Sequence, residues 1–208
     1  MALSTVPAVS ASAAVPAPRT VDYVELGDSY GSGPRYSLLV DPACVRSDQN
    51  HPSLLAAVEN WQLTGSSCGG ATTVALTGPQ GTKSPQLDAL DADMDVVTLV
   101  SHPDLFPDDG VGRTSSLVPL AAGDFAHLRD TEKRFNARPA SQARARSVRY
   151  VDTYTATIGH DMCKPAKERW IEPPVVVAPA AGSHPNAQGR QAMATAVQRA
   201  LRCVTHHR

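Results

Sequence analysis

The chain is poor in aromatic residues and carries almost no net charge. Phe, Tyr and Trp make up 5% of its 208 residues, and the formal charge is -1 at pH 7. So small a charge provides no long-range field to gather nucleic acid or an anionic membrane surface, and no nucleic-acid partner is expected. Long apolar runs are missing too. No window approaches the ~18 apolar residues of a membrane span, so no integral membrane segment is expected. The four cysteines, Cys44, Cys68, Cys163 and Cys203, form neither a CxxC pair nor a His/Cys metal spacing. Taken alone, they suit four buried thiols as well as they suit disulfides. What is present is a 22.0 kDa chain with 42% hydrophobic residues, enough to bury one real core. Its 17 prolines point to long connections.

Residues 1–20 are rich in Ala, Ser, Val and Pro, with no Lys or Arg before Arg19. That makes a poor secretory signal, because the basic start and the unbroken apolar segment are both lacking. We read 1–20 as a disordered leader or the remnant of a signal, and 21–208 as one domain.

The chain is organised around Val21 to Gly33, VDYVELGDSYGSG. A run of β-formers stops at Gly27 and feeds a tight polar turn, which lifts Ser29 to the end of a strand. Ligands of open α/β sheets bind outside the carboxyl ends of strands, where a base and a substrate can both reach a hydroxyl. Late in the chain, His184 stands in a loop (SHPNAQG, 183–189) before a last helix, with Asn186 as N-cap and Met193, Val197 and Leu201 on one face. An early Ser and a late His, each at an element end, have the form of a nucleophile and its general base. Asp28 is read as a structural carboxylate bonding loop N–H groups.

Between them, Asn50 or His51 caps a helix over Leu54–Val58, and Trp61–Thr64 reads as a short strand. Asp95–Val100 reads as the most strongly buried parallel strand. Asp124–Arg146 reads as one or two solvated helices broken near Pro139, and Ser147–Asp152 as the last strand.

An ordered set of motifs carries a family resemblance. GDSY at 27–30, CVRS at 44–47 leading to HPSLLAA, SSCGGATT at 66–73, DVVTLV at 95–100, RYVDTY at 149–154, GHDMC at 159–163, RW at 169–170 and HPNAQG at 184–189 together resemble secreted actinobacterial SGNH (GDSL-type) esterases and lipases. The resemblance implies a three-layer α/β/α flavodoxin-like fold with a short parallel sheet. It also implies a Ser29–His184 dyad, backbone N–H groups of Ser29 and Gly70 as oxyanion donors, and a Cys44–Cys68 disulfide. The implied substrate is a small-molecule or lipid ester, with no metal and no organic cofactor. A secreted monomer is expected. Cys163 with Cys203 is a pairing by elimination only.

The chain departs from the family in three places. The Gly-Gly-Asn-Asp block after the strand at 95–100 is replaced by Ser101-His102-Pro103-Asp104, which puts Asp104 near the place of an oxyanion donor. Loss of one such donor costs about 10² to 10³ in rate, and an ionised Asp104 there would oppose the oxyanion. His102 is the nearest alternative donor. The Asp three residues before the catalytic His is Ala181 here, so its backbone carbonyl is expected to orient the ring. Between Phe106 and Leu120, a strand and a loop of the family are missing, which predicts a narrower sheet and a more open cleft. The reading is a slow serine ester hydrolase acting through an acyl-enzyme. Its rival is a catalytically impaired binding protein for acylated or carbohydrate ligands.

The G-x-S-x-G match at Gly65–Gly69 leaves a cutinase-like enzyme using Ser67 as a rival fold. Against it, Gly69-Gly70 is a poor start for the helix that must follow such a serine.

Overall fold

The computed structural model describes residues 19–35, 38–100, 102–175 and 180–205, the last three as backbone only. The reading of 1–20 as a leader therefore falls outside the described residues up to position 18. In chain order the elements are β1 (Asp22–Leu26), α1 (Ser29–Ser32), β2 (Leu39–Asp41), β3 (Arg46–Ser47), α2 (His51–Glu59), β4 (Gln62–Gly65), α3 (Val74–Thr77), β5 (Val96–Leu99), α4 (Asp124–Ala145) and α5 (Ala187–Thr205). Short 3₁₀ turns lie at Pro42–Cys44, Gln86–Ala89 and Thr155–Thr157.

β1 is the middle of a three-stranded parallel sheet in the order β4–β1–β5. Tyr23 pairs with Leu63 on one side and Val96 on the other. A strand covered on both faces must be apolar or satisfied throughout, and Tyr23, Val24, Glu25 and Leu26 are all buried. α2 and α5 cover one face, where Tyr23, Leu55, Ala56, Ala194 and Val197 form a core with Trp61, Leu63 and Val151 against it. α2 starts where the Asn50 side chain accepts the Ser53 N–H at 3.0 Å, with Pro52 in its first turn. A second core, built on Val118, Phe125, Met162 and Ile171, packs the first turn of α4 against the loops.

Three expectations need correction. β5 is an edge strand, with Val97 and Leu99 exposed by 47% and 61%. Ser147–Asp152 forms no strand beside it, because Arg149 is drawn to the Ala200 carbonyl at 2.8 Å and Val151 into the core under α5. α4 runs unbroken through Pro139. The carbonyl that this proline leaves without a donor is that of Phe135, a residue 52% exposed.

Cys44 and Cys68 are joined across a separation of 24 residues. The bridge is worth about 3 kcal/mol in the chain-entropy model and ties the Pro42–Cys44 turn to the exit of β4. Cys163 is a free, half-buried thiol set against the second core. Its pairing with Cys203 falls outside the described residues, because the Cys203 side chain is not among them. Among the described residues, no helix is long and apolar enough to cross a membrane.

Candidate active site

β1 ends at Gly27, whose φ of +150° suits glycine and where a Cβ would stand 2.8 Å from Val100 Cγ1. The buried Gln86 amide brackets this residue. Its Oε1 accepts the Gly27 N–H and its Nε2 donates to the Gly27 carbonyl, both at 2.8 Å. Asp28 then caps α1, its Oδ1 accepting the Tyr30 N–H at 2.8 Å. α1 rests directly on the buried Glu25, since a Cβ at Gly31 would lie 2.0 Å from Glu25 Oε1. These contacts fix Ser29 at the carboxyl end of the central strand.

The loop before α5 is braced from below by the 169–172 segment. Arg169 donates to Glu172 Oε2 at 2.8 and 3.2 Å, and both side chains are buried. Asn186 donates to Glu172 Oε1 at 3.1 Å and to the Arg169 carbonyl at 2.9 Å. The same Asn186 caps α5 through the N–H groups of Gln188 and Gly189. Backbone bonds in both directions link Glu172 to Ser183 and His184 at 2.9 Å. From above, Tyr30 donates its hydroxyl to the Ser183 carbonyl at 2.7 Å and stacks on the His184 ring with centroids 4.9 Å apart.

Between these supports, His184 Nε2 lies 2.8 Å from Ser29 Oγ, and His184 Nδ1 lies 2.7 Å from the Gly182 carbonyl. The orienting carbonyl is therefore Gly182 rather than the expected Ala181. The tight turn instead directs the Ala181 carbonyl to the backbone N–H of His184 at 3.2 Å. A carbonyl only accepts, so Nδ1 carries the proton and Nε2 faces the Ser29 hydroxyl as a base. Burial lowers the proton affinity of His184, the Gly182 carbonyl and Asp28 partly oppose this, and His102 adds to it.

The remaining candidates separate. Gly70 has a φ of +74° in the turn after β4. That turn is brought beside Gly27 by the Cys68 N–H bond to the Gly27 carbonyl at 3.2 Å. Ser67 is fully buried against Gly31, and no helix follows directly on it, so the cutinase-like elbow is not formed. Asp104 is also fully buried rather than poised at an oxyanion. Burial, then the charges of Asp161 and Asp108, push its carboxyl up to about 7. His102 occupies the rim in its stead, with Nε2 3.5 Å from Asp28 Oδ2. Its ring is stacked between Tyr30 and Phe135 at centroid distances of 4.2 and 4.7 Å. Burial favours a protonated Asp28, but the hydrogen bonds from His102 and the Tyr30 N–H outweigh it and hold the carboxyl below its ordinary range. Among the described residues, no group of three or more His, Cys, Asp or Glu side chains is arranged to hold a metal ion.

Sequence reasoning missed Tyr30, Gln86, Glu172 and the role of Phe135. Only Tyr30 carried a signal, by directly following the serine.

Lipase 2 of Streptomyces coelicolor is 30% identical to this chain over 267 aligned positions, covering 93% of the chain and 90% of that protein. The chain belongs to the SGNH (GDSL-type) esterase and lipase family. The aligned stretch exceeds the 208 residues of this family member, so part of the relative has no counterpart here. Among solved structures, phospholipase A1 from Streptomyces albidoflavus superposes with a TM-score of 0.69 at 18% identity, over 87% of this chain and 99% of that one. An extracellular lipase from Streptomyces rimosus gives a TM-score of 0.65 at 21% identity, over 87% and 100%. These two likenesses concern the SGNH fold. No family model matches the sequence.

Proposed function

We propose that this protein is a secreted lipolytic ester hydrolase using a Ser29–His184 dyad. The observation that carries the reading is the 2.8 Å contact of Ser29 Oγ with a His184 ring whose other nitrogen is held by a carbonyl. The Cys44–Cys68 bridge and the extracellular lipase among the structural relatives support the secreted setting.

In the first step Ser29 Oγ attacks the ester carbonyl carbon while His184 Nε2 takes the hydroxyl proton. The Ser29 and Gly70 N–H groups receive the negative charge that develops on oxygen. The carbon–oxygen bond to the alcohol breaks, and His184 returns its proton to that alcohol. Water, deprotonated by His184, then attacks the acyl-enzyme, releasing the acid and restoring Ser29. A carbonyl behind the imidazole fixes its tautomer but adds no full charge to stabilise the imidazolium, so turnover is slow relative to a triad.

A fluorophosphonate probe is expected to add one label per chain, mapped by peptide mass to Ser29, alongside hydrolysis of p-nitrophenyl acetate. Labelling elsewhere, or none under conditions of measurable hydrolysis, would remove Ser29 from the mechanism.

A further inference from the structure

Two imidazoles meet one carboxyl beside the nucleophile. The rings of His102 and His184 both stack on Tyr30, with centroids 4.2 and 4.9 Å away, and Asp28 stands between Gly27 and Ser29 at the start of α1. Asp28 Oδ1 is taken by the Tyr30 N–H at 2.8 Å. Oδ2 faces His102 Nε2 at 3.5 Å, a contact with room to tighten when both partners are charged. His102 is itself held on two counts. Phe135 of α4 stacks on its ring at 4.7 Å, and its carbonyl accepts Asn136 Nδ2 at 3.2 Å and Thr153 Oγ1 at 3.4 Å. The dyad mechanism described above uses neither Asp28 nor His102.

We propose that Asp28 and His102 are positioning residues that set the charge felt by the dyad: the Asp28 carboxylate is the counter-charge to the His184 imidazolium formed as Ser29 attacks, and a proton on His102 withdraws it. The proposal rests on the dyad reading above. The Gly182 carbonyl behind the ring offers only a dipole, whereas Asp28 supplies a full charge from the side. Burial opposes the ionised Asp28; it is restored by the hydrogen bonds from His102 and the Tyr30 N–H, then by the charges of His102 and His184. The same pair acts on His184. Behind burial, which lowers its proton affinity, and the Gly182 carbonyl, Asp28 raises that affinity and a charged His102 lowers it. With His102 neutral, its Nε2–H donates to Oδ2 and leaves the charge of the carboxylate to His184. With His102 protonated, that charge is neutralised on the spot. The other titratable neighbours stay largely uncharged below 6.5, where His184 titrates. Burial, with Asp28 and Glu132 adding to it, raises Tyr30, and burial holds Asp104 at about 7 and Glu132 of α4 at about 8.

The test is an NMR titration of the His184 ring in the full chain, beside the pH dependence of p-nitrophenyl acetate hydrolysis. Asp28→Asn keeps an oxygen for the Tyr30 N–H, since asparagine caps a helix as well as aspartate does, and removes the charge. Its expected result is a His184 midpoint lower by about half a pH unit, the reach of a partly exposed charge several ångströms away. With it kcat falls about threefold while KM is little changed. In His102→Gln, which keeps a neutral donor toward Oδ2 and takes no proton, the midpoint rises by a similar amount. A general loosening of the site would move both midpoints the same way. Midpoints that do not move, or that move together, overturn the charge assignment, and loss of hydrolysis in Ser29→Ala leaves the dyad standing. If Asp28→Asn is not folded by circular dichroism, His102→Gln decides alone, and a midpoint unmoved or lowered overturns the assignment. Hydrolysis retained in Ser29→Ala overturns the dyad reading and this assignment with it.

Discussion

Replacing His184 with alanine lowers kcat for a short ester by about 10⁴-fold or more, and Ser29→Ala does the same. The two losses do not multiply. With the base gone, the Ser29 hydroxyl keeps its ordinary, very high pKa and is no nucleophile; with the nucleophile gone, the base has nothing to deprotonate. The double variant is therefore no slower than either single one, and the residual rate reports the backbone donors and binding. The pH profile of the native protein gives a second reading. Since burial lowers the proton affinity of His184, the rising limb of kcat/KM has its midpoint below 6.5. Retention of more than a tenth of the activity in a folded His184→Ala protein would exclude the dyad. A midpoint above 7 would show that the ring is not held as the Gly182 contact and its burial require.

Stability is expected to fall as pH rises from about 5 to 8, the reverse of a protein whose carboxylates are all paired. Burial holds Glu25 at about 7, Asp104 at about 7 and Glu132 at about 8, against about 4 in the unfolded chain. A carboxyl whose folded pKa is raised binds its proton more tightly in the native state. Its contribution is complete below about pH 4 and is lost as pH climbs through 7 to 8. His51 acts in the opposite sense. Burial lowers it to about 4, partly opposed by its bond to the Tyr30 backbone, so it penalises the native state between 6.5 and 4. His184, also lowered by burial, acts in the same sense as His51, and the three carboxyls outweigh the two imidazoles. Asp104 and Glu132 also interact, so their shifts do not add; we take the net loss between pH 5 and 8 as on the order of 4 kcal/mol. At roughly 2–4 °C per kcal/mol for a chain of this size, Tm drops by about 10 °C. Asp104→Asn keeps the shape without the charge and flattens the slope. A Tm that rises from pH 5 to 8 would mean these carboxyls are ionised and satisfied.

The parts of the fold legible in the sequence were those that local chemistry dictates. Gly27 marked the end of a strand because the backbone there needs a conformation other residues resist. Asn50 and Asn186 marked helix starts because their short side chains reach orphan N–H groups. What failed depended on distant partners. Asp95–Val100 reads as buried by its β-branched run, yet among the described residues the strand there is an edge, because strand order is set by chain segments far away. Ser147–Asp152 has strand composition, but Arg149 and Val151 are claimed by α5. Pro139 reads as a break, yet α4 continues through it. At the site, the approach of an early Ser to a late His could be expected from their element ends. The one-residue shift from Ala181 to Gly182, and the inward turn of Asp104, are set by loop geometry and by neighbours that no local pattern announces. Gln86 is the clearest case: a polar side chain 59 residues from Gly27 completes the strand end that holds the nucleophile.

The position of β5 at the rim of the sheet has a consequence for how the molecule comes apart. β1 is bonded along both sides, by β4 and by β5. The strand is further secured by α2, α5 and a disulfide at the exit of β4. Among the described residues β5 is held through one side only, so local opening starts there, at a free energy well under that of global unfolding. Such a fluctuation carries away Leu99 and Val100 while Ser29 stays mounted on the most protected strand. On warming, the rim of the sheet is therefore lost before the strand that carries Ser29: the edge melts first, and the mount of the proposed nucleophile last.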